Sequence, residues 1–194
     1  MKYLFIILLT LFIYSLNYGQ ITEHNCPDNS IFRKEIIGKE IICECIHDTL
    51  FNGMTIIYSD KGVKKEENNW DMGVKSGKWK EWNNKGILTY EVTYKYGLKD
   101  GEEIYYFDNG KPKVLTTFKA GIKNGRIAEW FENGIQNTEG YFTDDIQDKI
   151  WIFRMPGKKT VSVAKYINGV EQTYKYINWT KDNFDLAELE KALN

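Results

Sequence analysis

The chain has 194 residues, 42% of them hydrophobic and 27% charged, which suits one ordinary domain or a short repeat array and excludes a disordered chain. Lys and Arg number 26 against 27 Asp and Glu, and a net charge of −1 supplies no basic field to gather nucleic acid or anionic lipid. Aromatics reach 15%, with 16 Gly and 3 Pro, the balance of strands joined by tight turns, while 2 His and 3 Cys leave little for nucleophilic or metal chemistry.

Lys2, the apolar run from Leu4 to Leu16, and the polar Asn17-Tyr18-Gly19-Gln20 have the layout of a secretory signal peptide over residues 1–19. The run is shorter than the ~18–20 residues that cross a bilayer, so cleavage after Gly19 is expected rather than anchoring. Cys26 lies too far along to be a lipid-modified N-terminal cysteine, and no later stretch is long and apolar enough to span. Losing Lys2 leaves 25 cations against 27 anions, or −2. The expectation is an exported protein, periplasmic or extracellular, with no integral membrane segment in the mature chain.

Residues 20–52 read as an N-terminal arm and a degenerate first repeat, with Ile41-Ile42-Cys43-Glu44-Cys45-Ile46 in place of a charged strand. Every Cys and His of the chain falls between His24 and His47. On a strand, Cys43, Cys45 and His47 project to one face. Two thiolates and two imidazoles would make a tetrahedral zinc set. An oxidising compartment instead favours a disulfide from Cys26 to Cys43 or Cys45, and the spacings are not those of a zinc finger. A bridge, no metal and one thiol left over are expected.

A repeat of 24 residues runs through the remainder. Gly38, Gly62, Gly86, Gly110 and Gly134 keep that interval, as do Gly53, Gly77, Gly101 and Gly125, and Gly73, Gly97 and Gly121. One apolar column is Ile46, Trp70, Tyr94, Phe118, Phe142, Tyr166; a second, Leu50, Val74, Leu98, Ile122, Ile146, Val170, is aliphatic throughout. Within a unit, two runs rich in aromatic and β-branched residues flank Asn84-Lys85-Gly86 or its equivalents Asp60-Lys61-Gly62, Asp108-Asn109-Gly110 and Glu132-Asn133-Gly134. Asn-Gly between strands signals a hairpin, because both residues accept positive φ. Gly97-Leu98-Lys99-Asp100-Gly101 reads as the turn into the next unit. Leu88, Tyr90, Val92 and Tyr94 share one strand face, and Thr89, Glu91 and Thr93 the other. The expected fold is all-β, an elongated single-layer antiparallel sheet of about six 24-residue β-hairpin repeats with a short C-terminal capping helix. Regular repeats occupy 53–148. Residues 149–194 hold a degenerate last repeat, an extra strand near 173–179, and a helix over 183–193 capped by Asp182, with Leu186, Leu189 and Leu193 on one stripe. That helix is expected to cover the last sheet edge.

The pattern of Asn-Gly, about six residues, an aromatic, x-x-Gly and then x-x-x-Gly resembles the bacterial variant of the MORN repeat, best at Gly77–Tyr94–Gly97 and Gly101–Phe118–Gly121. The resemblance covers 53–142, and 29–52 and 149–172 loosely. It implies a β-hairpin array. Many bacterial members are labelled antitoxin-like, and eukaryotic arrays are associated with scaffolding and membrane-lipid contact.

Catalytic groups are sparse. Glu66-Glu67, Glu102-Glu103 and Asp144-Asp145 are adjacent carboxylates, which point to opposite faces of a strand and do not form an acid/base pair. Gly73-Val-Lys-Ser-Gly77-Lys78 is similar to a phosphate loop in spacing but leads into a strand, not a helix. No enzyme activity, metal or cofactor is expected. Tyr58, Trp82, Tyr106 and Trp130, 24 apart in successive hairpins, form either a solvent-facing binding stripe or the packing face of the sheet. The leading function is an exported, non-catalytic platform for another protein at the cell envelope. Alternatives are a periplasmic immunity or antitoxin-like protein that sequesters a toxin, and a glycan-binding protein using the aromatic ladder. No nucleic acid is expected as partner, and oligomeric state, disulfide connectivity and the exposed face stay open.

Overall fold

The computed structural model describes residues 31–47, 52–155 and 157–193, so the expected leader over residues 1–19, His24, Cys26, Leu50 and Pro156 lie outside the described residues. Among the described residues there are fourteen strands and one helix, and the chain divides into two compact units, 1–86 and 87–194. The first contains β1 (Ile31–Ile37), β2 (Glu40–His47), β3 (Asn52–Ser59), β4 (Lys64–Asp71), β5 (Val74–Lys75) and β6 (Gly77–Trp82). They pair antiparallel in chain order, with the two-residue β5 and then β6 both bonded to β4. The second contains β7 (Leu88–Lys95), β8 (Leu98–Tyr106), β9 (Pro112–Lys119), β10 (Ile122–Trp130), β11 (Gln136–Thr143), β12 (Ile146–Arg154), β13 (Thr160–Ile167), β14 (Val170–Asn178) and α1 (Leu186–Leu193). Its eight strands form one antiparallel layer, each bonded to its chain neighbours. The fold is all-β, a single-layer hairpin repeat with one short C-terminal helix.

Two turn types alternate. At the Asn-Gly turns, Gly62, Gly86, Gly110 and Gly134 have φ of 75°, 76°, 79° and 93°, so the repeat holds at the level of the backbone. Here only the glycine is left-handed; Gly110 N donates to Phe107 O at 2.9 Å, and Asn109 Oδ1 accepts from Lys111 N at 3.0 Å. This is a type I turn closed by a left-handed residue rather than two positive-φ positions. The other turns have two central residues with positive φ, such as Tyr96 (51°) with Gly97 (80°) and Ala120 (50°) with Gly121 (86°). The turn expected over 97–101 is therefore the tighter pair Tyr96-Gly97, and Gly101 lies inside β8, beside a register shift. A Cβ on Gly125, the equivalent of Gly101 one repeat later, would sit 2.8 Å from Thr117 Cβ, at φ 130°. That close approach, not a turn, keeps this column glycine.

The alternation on β7 is as read from sequence. Val92 is paired with Glu103 and Tyr90 with Tyr105 on one face, while Glu91 and Ile104 share the other. The aliphatic column, by contrast, is half exposed, from 42% at Ile122 to 62% at Val170. Its members cover the next repeat's turn, and Leu98 Cδ2 lies 3.6 Å from where a Cβ on Gly121 would be.

The helix differs from expectation in two respects. Asp185 Oδ1 accepts from Glu188 N at 3.1 Å, so the cap is Asp185 rather than Asp182. The preceding backbone is committed elsewhere, because Gln136 N donates to Asp182 O and Gln136 Oε1 accepts from Phe184 N. Leu189 and Leu193 then pack with Ile150, Ile152, Val161, Val163 and Trp179. Ile150, Ile152, Val161 and Val163 lie on one face of β12 and β13, and α1 also touches the edge strand β14, so it covers the face of the last strands, the edge strand included. Leu186, the third residue of the expected stripe, is 43% exposed.

Gly125→Ala should cost about 1–3 kcal/mol, from a strained φ and the Thr117 contact. Gly110→Asn, with nothing within 4 Å of the added Cβ, should cost under about 1 kcal/mol because Asn accepts a left-handed φ. Urea unfolding midpoints compare the two, and equal losses would contradict the distinction.

Candidate functional site

The column Tyr58, Trp82, Tyr106 and Trp130 is engaged within the fold. Tyr58 is 5% exposed and packs with Ile41, Cys43 and Ile56 in the core of the first unit. Lys64 Nζ stands 4.5 Å from the centre of the Trp82 ring, and the Arg126 guanidinium 5.9 Å from that of Trp130. Tyr106 Oη donates to Glu91 Oε1 at 2.7 Å, and burial followed by that bond pushes its phenol pKa up. All but Tyr58 are half-buried, and none of the four is exposed. They serve as a packing column beside the Asn-Gly turns.

Glu102 and Glu103 separate as strand geometry requires. Glu103 is 7% exposed and accepts from Tyr90 Oη at 2.7 Å and from Lys99 Nζ. A buried carboxylate is tolerated there because both partners neutralise and bond it. Burial, followed by the bond to Glu103, raises the Tyr90 phenol. Its sequence neighbour Glu102 pairs instead with Thr117. Asp144 and Asp145 form a turn, where they accept from Asn124 Nδ2 and Lys123 N.

Besides Tyr96 in its turn and Tyr105 on β8, a group of solvent-exposed aromatics lies on the face of the second unit opposite α1. Register places Trp151, Ala164 and Tyr174 in one cross-strand row and Phe153, Ser162 and Tyr176 in the next. In the second row the middle strand carries only the half-buried Ser162, so a shallow channel lies there between Phe153 and Tyr176, whereas in the first row Ala164 is 1% exposed, covered by its neighbours. Phe153 is 36%, Tyr174 45% and Tyr176 67% exposed, and the two Tyr rings meet edge to face at 5.2 Å. Trp151, 4% exposed, is held by Phe142 at 5.0 Å and Tyr166 at 6.5 Å, which fixes one wall. No charged residue lies in either row. Sequence reading passed over this channel because its signal is small, two small residues on β13 flanked two strands apart by aromatics.

A network of buried polar groups anchors the other face. Arg154, 9% exposed, donates from Nε to Gln136 O at 3.0 Å and from its terminal nitrogens to Trp179 O and Lys181 O. Desolvation lowers its pKa. Gln136 Nε2 donates to Glu139, whose carboxylate also takes a bidentate bond from Arg126, at 2.9 and 3.4 Å. These bonds tie the segment leading into α1 to β11 and β12.

Of the cysteines, Cys45 is disulfide-bonded and fully buried, whereas Cys43 is a buried free thiol. Among the described residues no cluster of three His, Cys, Asp or Glu has a metal-binding arrangement. No described helix is long and apolar enough to cross a membrane. No protein-family signature matches the chain, and no curated protein matches its sequence.

Burial raises the Cys43 thiol pKa above the ordinary 9.0. A thiol favoured in its neutral form stabilises the fold fully below 9.0, and that contribution is lost as pH rises through the higher folded value. The folded chain should therefore react little with a thiol reagent below pH 9.0. Unfolded without reductant, it should titrate one thiol of its three cysteines. Three reactive thiols on unfolding would contradict the bridge at Cys45.

Proposed function

We propose that this chain is an exported, non-catalytic protein of MORN-like modules that acts as a protein-interaction platform at the cell envelope. The observation that carries the reading is the channel between Phe153 and the Tyr174–Tyr176 pair. Aromatic side chains with polar tips, on a rigid strand and left exposed, make good anchors for a partner because they bury much area at little entropic cost. The channel lies on a strand, has no charged residue in its rows, and is floored by Ser162, which suits an extended segment of another protein. On the opposite face, Leu189 and Leu193 of α1 cover Ile150, Ile152, Val161 and Val163. The titratable groups inside the fold, Glu103, Glu139 and Arg154, are each bonded to neighbours, so they serve structure rather than acid/base chemistry.

The Lys2–Gly19 leader supports export. Platform and export together predict that an envelope protein is retained by the immobilised mature chain and lost with the double variant Phe153→Ser, Tyr176→Ser. Both positions are partly exposed, so the variant should fold with a similar thermal midpoint. Equal retention by the two, or retention of polysaccharide alone, would contradict a protein partner at this channel.

A further inference from the structure

On the α1 side of the second unit, a cleft of about 460 Å³ opens between the helix and strands β11 to β13. This is the size range of small-molecule sites. Its apolar surface comes from Tyr141, Ile150 and Leu186. The back wall is the Arg126–Glu139 pair, whose carboxylate is 7% exposed and locked by Gln136. That pair is satisfied, so it sets the shape of the cleft without claiming a ligand's charge.

Two other charges line the cleft differently. Lys165, on β13, faces the same side as Ile150, and Glu190 stands one turn beyond Leu186 on α1. Neither makes an ion pair with a described residue, although both border one cavity. Lys149 Nζ is taken up by the Tyr141 ring, 3.4 Å from its centre, and Asp148 accepts from Thr143 Oγ1 at 3.0 Å. A cation and a carboxylate are thus left on two sides of an apolar hollow. Charge complementarity then asks for a ligand with an apolar body and both signs of charge.

We infer that this cleft binds a short apolar peptide through both of its free ends, the terminal carboxylate on Lys165, the terminal ammonium on Glu190, and the side chains against Ile150, Leu186 and Tyr141. The site is separate from the channel on the opposite face and does not depend on the platform reading. Leaving the channel variant's peptide binding unchanged would keep the two apart.

Calorimetric titration of the mature chain with leucyl-leucine, its N-acetyl form and its C-terminal amide tests the assignment. Leucyl-leucine should bind saturably, and removing either terminal charge should weaken binding about tenfold, as loss of one charge-assisted bond implies. Lys165→Gln should remove the penalty for amidation, and Glu190→Gln the penalty for acetylation, each leaving the other penalty in place. Both are surface substitutions on which the core does not depend, and circular dichroism checks their fold. Absence of saturable binding, equal binding by all three peptides, or penalties unmoved by the matching variant would overturn the site.

Discussion

In the second unit, three of the left-handed turns reach back to the hairpin before them. Gly121 N donates to Lys99 O at 2.7 Å, Asp145 N to Lys123 O at 2.9 Å, and Gly169 N to Gln147 O at 2.9 Å. A two-stranded hairpin is marginal alone, and a turn tip is normally the first backbone to fray. Here the tip amide is part of the ladder between repeats. Every such bond needs positive φ at both central residues and the same strand lengths on each side. The 24-residue spacing, the turn residues and the close register all follow from that requirement.

A one-layer sheet has no second layer to hide its side chains, so each face must be covered from within the sheet. Long cations lie over aromatics of the neighbouring strand, Lys99 over Phe118 at 5.0 Å and Lys123 over Phe142 at 5.2 Å. Their aliphatic stems shield the ring while the ammonium stays wet. Where carboxylates fall inside, as at Glu103 and Glu139, a Tyr, Lys, Arg or Gln closes them. Among the described residues a separate element, α1, covers the sheet only over its last strands, with Leu189 and Leu193. The opposite face of those strands keeps Phe153, Tyr174 and Tyr176 exposed. The partner-binding reading follows from this asymmetry between the two faces of the last hairpins.

Much of the architecture was legible because it is periodic. The glycine columns located both turns, and the alternation on Leu88–Tyr94 placed its side chains on the correct faces. Conformational detail within a turn was less legible, since Tyr96 and Met72 take positive φ without being Gly or Asn. What decides it is the length of the loop between paired strands. The helix start was misplaced because Asp182 and Asp185 are equally good caps in sequence. Tertiary bonds from Gln136, 48 residues before Phe184, select the second. Period alone left the column Tyr58, Trp82, Tyr106 and Trp130 open between binding stripe and packing face, because the same interval marks either; in the structure Tyr58 is buried and the other three are half-buried. The exposed channel arises in the degenerate last repeat, where small residues break the pattern and period carries no signal.

Amide hydrogen exchange of the folded protein, resolved by residue, tests the ladder between turns most directly. The account predicts that the amides of Gly121, Asp145 and Gly169, though they sit at exposed tips, are protected to the same extent as the strands they join. Exchange of these three at the rate of an unfolded chain, with the strands beside them still protected, would contradict it.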